Sequence, residues 1–130
     1  MLIHINLEIR DEEVPSLREA IGWERRDDDY PTLFQRCNFW AGARDPEGVL
    51  IAFGYIAGTG LEHGYMEDII VHPKYQRRGI GQQLVNELLN ESTVRGLRIV
   101  TLTYSRVHKA FYEKCGFAPT HAGIWKEDPM

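Results

Sequence analysis

The stretch 65–104 constrains the fold more than any other part of the chain. Tyr65–His72 reads as an apolar strand that runs into a loop, and the loop runs into a helix over Gly79–Arg95. Ile80, Leu84 and Leu88, with Val85 and Leu89 beside them, make one apolar stripe on that helix. Such a stripe marks an element packed on a core along one side. Gly96 ends the helix, and Leu97–Tyr104 follows as a strand with Ile99, Val100 and Leu102 apolar. Strand–helix–strand order needs a crossover, so these two strands pair in parallel by the right-handed rule.

The remaining elements arrange themselves around that unit. Leu2, Ile3, Ile5, Leu7 and Ile9 alternate with His4, Asn6 and Glu8, which predicts a strand with one buried face. Val14, Leu17 and Ile21 sit at helical spacing within Glu12–Trp23, with Gly22 as the stop. Leu33, Phe34 and Cys37 suggest a second short helix after Pro31. Phe39–Ala43, Val49–Ala57 and Tyr65–His72 are three successive strands, and their short connections at 45–48 and 58–60 favour an antiparallel meander. Val107–Lys114 reads as a short helix closed by Gly116 in the place of a left-handed C-cap. Phe117–Ala118 and His121–Trp125 are expected to form a final strand or hairpin. The fold class is therefore α/β (α+β). A mixed, mostly antiparallel central sheet with one parallel pair is flanked by helices, in a single domain over residues 1–130.

Composition narrows the function. With 15 basic and 19 acidic residues the formal charge is −4, which argues against a nucleic-acid partner because phosphate neutralisation needs a cationic surplus. No apolar run approaches the ~18 residues of a membrane span, and residues 1–9 carry no signal-peptide pattern. Cys37 and Cys115 make no disulfide framework, so a reducing, cytoplasmic location is expected. The five histidines show no ligand-like spacing among themselves or with the cysteines, and no metal site is expected.

Against that acidic background, Lys74, Arg77 and Arg78 gather three cations in the loop before Gly79-Ile80-Gly81. Two glycines at a helix start let main-chain N–H groups approach a bulky anion, and the helix dipole favours negative charge there. No P-loop motif occurs in the chain. A dinucleotide fingerprint is half matched, with Leu84 where its third glycine belongs. A plain alternative is a helix start whose glycines only shape a turn and whose cations are solvated.

Gln76-Arg77-Arg78-Gly79-Ile80-Gly81 matches the Gln/Arg-x-x-Gly-x-Gly/Ala signature of the GNAT acyltransferases, and Val71-His72-Pro73 fits that family's approach to it. Phe111-Tyr112-Glu113-Lys114-Cys115-Gly116-Phe117 resembles the segment that closes the same domain. Together the two motifs carry the resemblance over residues 65–117, while the first 60 residues fit the fold's opening more loosely. The resemblance implies acetyl-CoA as donor substrate, with its pyrophosphate on the N–H groups of Arg77, Arg78, Gly79, Ile80 and Gly81 and with Gln76 and Gln82 close by. It implies a pantetheine arm paired strand-like with the main chain of Ile69, Ile70 and Val71. It also implies a homodimer, in which Trp125 would be covered. Ser105 stands where many members carry an asparagine.

Acyl transfer to an amine needs a base, because an alkylammonium is almost wholly protonated at neutral pH. It also needs a donor for the departing thiolate. Tyr112 matches the family's tyrosine beside the thioester sulfur; its other reading is a core aromatic. Glu67 is the first choice for the base, since strand alternation puts Tyr65, Glu67, Ile69 and Val71 on one face and Met66, Asp68 and Ile70 on the other. Asp68, a water molecule, or a purely structural role for both carboxylates stay open. Glu24 and Asp27–Asp29 read as a solvated loop, or as an attraction for a cationic amine. The expected activity is direct N-acetyl transfer to a small-molecule or peptide amine, without a covalent intermediate. A nucleotide-linked oxidoreductase and an idle CoA-binding regulatory module are the alternatives.

Overall fold

The computed structural model describes residues 2–128. Its elements are β1 (His4–Ile5), α1 (Glu13–Ala20), α2 (Tyr30–Arg36), β2 (Phe39–Arg44), β3 (Leu50–Ala57), β4 (His63–Val71), α3 (Ile80–Val94), β5 (Ile99–Thr101) and α4 (Lys109–Lys114). One sheet runs in the order β1-β2-β3-β4-β5; the first four strands are antiparallel and β5 is parallel to β4. The expected mixed sheet, meander and crossover are all present.

Each face of the sheet has its own core. Ile80, Leu84, Val85 and Leu88 of α3 pack on Phe39, Ala41, Ile56 and Met66, and Tyr112 of α4 and Cys115 just after it join this side. Val14 and Leu17 of α1 and Tyr30 of α2 pack on Phe53, Tyr55 and Ile70 on the other. Helices on both faces keep the central strands dry, which explains why β3 is apolar along nearly its whole length.

The edge elements depart from the sequence reading. The first strand is two residues long because Asn6 adopts a left-handed φ of 54°. Ile3 and Ile5 pack with the α3 core, whereas Leu7 and Ile9 pack with the α1 core. The alternation is real, but the face it addresses changes at Asn6. β5 is three residues instead of the expected eight. The final strand does not form: residues 118–126 have no regular structure, and Ile124 and Trp125 are exposed, Trp125 at 85%.

β4 carries a second irregularity. Phe53 faces Ile70 and Tyr55 faces Glu67, so Gly54 alone stands opposite Asp68 and Ile69. A Cβ on Gly54 would come 2.5 Å from Ile69 Cδ1 and 3.1 Å from Leu88 Cδ1. Overpacking of this kind costs about 1–3 kcal/mol. Gly54→Ala is therefore expected to destabilise by about that amount in urea unfolding. Adding Ile69→Val, which removes the methyl it meets, should make the double variant less destabilised than the sum of the singles. Strict additivity would contradict this packing.

Candidate active site

The extra residue in β4 sets the geometry of the site. Asp68 takes a left-handed φ of 54°, and side chains beyond it change face, as they do at a β-bulge. Met66 points into the α3 core, yet Ile70, also even-numbered, points into the α1 and α2 core. Relative to Met66 and Glu67, strict alternation therefore mis-assigns Asp68, Ile69, Ile70 and Val71. Glu67 and Asp68 share the α1 and α2 side, through Tyr55 and through Arg18 and Tyr30 respectively. Ile69 lies on the α3 side with Val71.

β5 leaves β4 at the same level. The pairing stops at Tyr65–Thr101, just past the point where the two strands are tied by His63 Nε2 to Thr101 Oγ1 at 3.0 Å; Tyr65 Oη and Thr103 Oγ1 add a 2.9 Å link. Beyond that neck the edge of β4 has no strand partner among the described residues, and a cleft of about 950 Å³ opens. Met66, Glu67, Asp68, Ile69 and Val71 form one wall; Leu102, Thr103, Tyr104 and Ser105 form the other. Because its lining comes from both sides of the sheet, the cleft is a slot through it.

One end of the slot is the loop before α3. Gln76, Arg77, Gly79, Gly81 and Gln82 line it. Pro73–Tyr75 forms a 3-10 turn in which His72 Nδ1 accepts from the Lys74 N–H at 3.1 Å. Arg77 (φ 65°) and Gly79 (φ 80°) are both left-handed, a geometry that curls successive N–H groups into a concave anion nest. Gly79 is the position where glycine is needed, since a side chain is strained at that φ. No side chain caps α3 and its first turn holds no acidic residue, so its N–H groups remain free donors. Gly81 serves a different end: its Cβ would press on Phe111 Cζ at 3.3 Å, so glycine lets α3 meet α4 closely.

Glu67 and Tyr112 also belong to the lining, Glu67 from the α1 and α2 side of the sheet and Tyr112 from the α3 and α4 side. Glu67 is exposed to the cleft and accepts a 2.6 Å hydrogen bond from the buried Tyr55 hydroxyl. Burial, then the bond to Glu67, pushes the Tyr55 phenol well above its ordinary range. Tyr112 is held by the end of α4: Gly116 (φ 102°) permits Phe117 N–H to reach Tyr112 O and Gly116 N–H to reach Glu113 O, both at 3.0 Å. This is the paired bonding of a Schellman cap. Tyr104, Phe111 and Phe117 surround the Tyr112 ring with centroids 5.2, 4.9 and 5.9 Å away. Burial pushes its phenol up to about 12, so it stays protonated throughout the neutral range.

Of the residues singled out from sequence, Glu67, Tyr112, Ile69, Val71, Gln76, Arg77, Gly79, Gly81 and Gln82 line the cleft together. Ile70 and Ile80 turn their side chains into the two cores, and the Arg78 guanidinium lies over the Tyr75 ring at 5.2 Å. Gln76 donates its amide to Val71 O at 2.9 Å, holding loop and strand together. Asp27–Asp29 is an exposed 3-10 turn, with Arg25 on Asp27 at 3.0 Å. Sequence reasoning missed Tyr55, which holds Glu67, and Trp23, which lines the cleft. It also missed Arg18, whose place beside the apolar Leu17 on α1 was the available signal. Among the described residues no three His, Cys, Asp or Glu side chains gather as a metal site, and no helix is long and apolar enough to cross a membrane.

A mixed sheet with a parallel β4–β5 pair, an uncapped helix start and a slot between those strands define an acyltransferase-type domain. Residues 35–119 match the acetyltransferase (GNAT) domain, and the chain belongs to that family of acyltransferase enzymes. It is 35% identical over 94 residues to the tRNA(Met) cytidine acetyltransferase TmcA of Citrobacter koseri, covering 68% of this chain and 14% of that protein. It is 37% identical over 70 residues to the glucosamine 6-phosphate N-acetyltransferase of Schizosaccharomyces pombe, covering 54% of this chain and 60% of the relative. The matches thus span less than two thirds of either relative. Among solved structures, AAC(6')-Iy in complex with the bisubstrate analogue CoA-S-monomethyl-acetylneamine shares the fold with a TM-score of 0.77 at 20% identity, over 100% of both chains.

The Tyr112 environment gives a stability test. Its folded phenol titrates near 12 and an unfolded tyrosine near 10. The unfolded chain therefore loses that proton first, and stability is lost as pH rises from 10 through 12. At pH 11 the Tyr112 share is about 1 kcal/mol, or roughly 4 °C in Tm. Scanning calorimetry at pH 8 and pH 11 should show a smaller alkaline drop for Tyr112→Phe than for wild type. Equal drops would contradict the buried phenol.

Proposed function

We propose that this chain is an N-acetyltransferase that moves the acetyl group of acetyl-CoA to a primary amine by direct attack on the thioester. The single observation that carries the reading is the slot between β4 and β5, with a donor-rich nest at one end and both Glu67 and Tyr112 in its lining. The N–H groups of Arg77, Arg78, Gly79, Ile80 and Gly81, with Gln76 and Gln82 beside them, would take the pyrophosphate. The unpaired edge of β4 at Ile69, Ile70 and Val71 would pair with the amides of the pantetheine arm. Fit along one edge needs no particular side chain, which is why Ile70 can face the core and still contribute.

Glu67 would take the proton from the acceptor ammonium, steadied by Tyr55. The amine nitrogen then bonds to the thioester carbon as the carbon–sulfur bond breaks, and the nitrogen sheds a second proton to water as the amide forms. The Tyr112 hydroxyl would donate a hydrogen bond to the leaving sulfur. With its phenol near 12 and a thiol at ~8.5, Tyr112 keeps its proton and acts as a donor to the thiolate, which takes up through water the proton that the nitrogen sheds. Orientation of the two reactants in the slot would provide much of the acceleration. The acceptor is a small-molecule or peptide amine entering from the α1 and α2 side. The reading extends to one acyltransferase domain over residues 1–130, a cytoplasmic location and a homodimer; the exposed Ile99, Val107, Ile124 and Trp125 support a covered surface.

Release of free thiol from acetyl-CoA across a panel of amines tests the reading. Once an acceptor is found, Glu67→Gln should lose turnover at pH 7 and recover toward pH 9.5, where free amine accumulates without a base. Tyr112→Phe should lose about 10²-fold at both pH values, as expected for one removed transition-state donor. Wild-type activity of Glu67→Gln at pH 7 would exclude Glu67 as the base.

A further inference from the structure

We propose that Asp68 is a positioning residue: clamped between Arg18 of α1 and Tyr30 of α2, it holds the β4 bulge that turns Glu67 and the adjoining main chain into the slot. The inference rests on the acetyltransferase reading and adds to it a role for residues on helices outside the cofactor end. Asp68 Oδ2 accepts from Tyr30 Oη at 2.7 Å and from Arg18 Nη1 at 3.0 Å. The Arg18 and Asp68 side chains are 5% and 12% exposed. Arg18 is fixed a second time by Nε to Glu24 O at 2.6 Å, and Trp23 lies over its guanidinium at 5.1 Å. Tyr30 is rigid in its turn, packed edge-on to Phe53.

A buried ion pair is a costly way to stabilise a fold, and hydrophobic groups of similar size commonly do as well. Its value lies in specifying one geometry, and here the geometry at stake is unusual. Asp68 sits at φ 54° with two residues of β4 opposite Gly54. Aspartate visits that region more readily than most residues, at an energetic cost that the surroundings must meet. The clamp meets it from two helices at once. The neighbouring carboxylates thereby take separate roles. Asp68 is occupied by a cation and a phenol, whereas Glu67 carries one phenol donor and faces the cleft.

Two variants separate the clamp from the backbone conformation. Asp68→Gly accepts the same φ without strain but has no clamp; Asp68→Asn keeps an oxygen for both donors. For Asp68→Gly, kcat with the amine found in the screen should fall tenfold or more, while the acetyl-CoA Kd by calorimetry stays within about fivefold. Amide exchange at residues 67–69 should quicken by tenfold or more, and Asp68→Asn should be intermediate in both. Wild-type kcat and exchange in Asp68→Gly would overturn the proposal, as would equal losses in kcat and acetyl-CoA affinity, the sign of general loosening. Should Asp68→Gly fail to fold, Tyr30→Phe removes one donor and keeps the ring. A severalfold drop in kcat with faster exchange then supports the clamp, and no change overturns it. Failure of the wild type to bind acetyl-CoA would instead refute the acetyltransferase reading, and unchanged exchange alone would refute the clamp.

Discussion

Opposite Gly54, β4 carries two residues where β3 carries one, and the rest of the site depends on that insertion. The extra residue places Glu67 and Asp68 on the α1 and α2 side while sending Ile69 and Val71 to the α3 side. It works only because Gly54 has no side chain: Ile69 and Leu88 occupy the space a Cβ would take. With the strand turned in this way, β5 stays paired only as far as Tyr65, and the slot opens just beyond. A bulge that re-aims side chains beside a site is a recurrent use of this irregularity.

The lining of the slot draws on two kinds of physics. At the α3 end no side chain caps the helix and its first turn holds no acidic residue, a setting in which main-chain N–H groups and the helix dipole favour negative charge. That setting is independent of the formal charge of −4, because it belongs to the main chain. Elsewhere in the lining, Glu67 and Tyr112 are each held by buried partners. Tyr55 donates to Glu67, and a Schellman cap at Gly116 and three aromatic rings hold Tyr112. Burial keeps Tyr112 protonated, which suits a hydrogen-bond donor to a thiolate better than a full proton donor.

The sequence discloses the features that local rules control. The α3 stripe, the glycine at the end of α4 and the crossover from β4 to β5 all follow from spacing and turn chemistry. The glycine-rich turn before α3 is legible for the same reason, since its residues are consecutive. What escaped is tertiary. Alternation carries no mark of a bulge, so Asp68 and Ile70 were assigned to the same face as Met66, and Ile69 to the face of Glu67. Asn6 misleads in the same way in β1. The partners Arg18, Tyr30 and Tyr55 lie 50, 38 and 12 residues from the carboxylates they hold, beyond the reach of any local pattern. The last strand was expected on composition, but residues 118–126 find no strand partner in the described chain.

A crystal structure with acetyl-CoA or CoA bound tests the central claim most directly. The account predicts the pyrophosphate on the N–H groups of residues 77–81, the pantetheine amides paired with the β4 edge between Ile69 and Val71, and the sulfur within hydrogen-bond reach of Tyr112 Oη. It further predicts that the φ of Asp68 remains left-handed in the complex. A pantetheine arm lying outside the β4–β5 slot, or a sulfur placed away from both Tyr112 and Glu67, would contradict it.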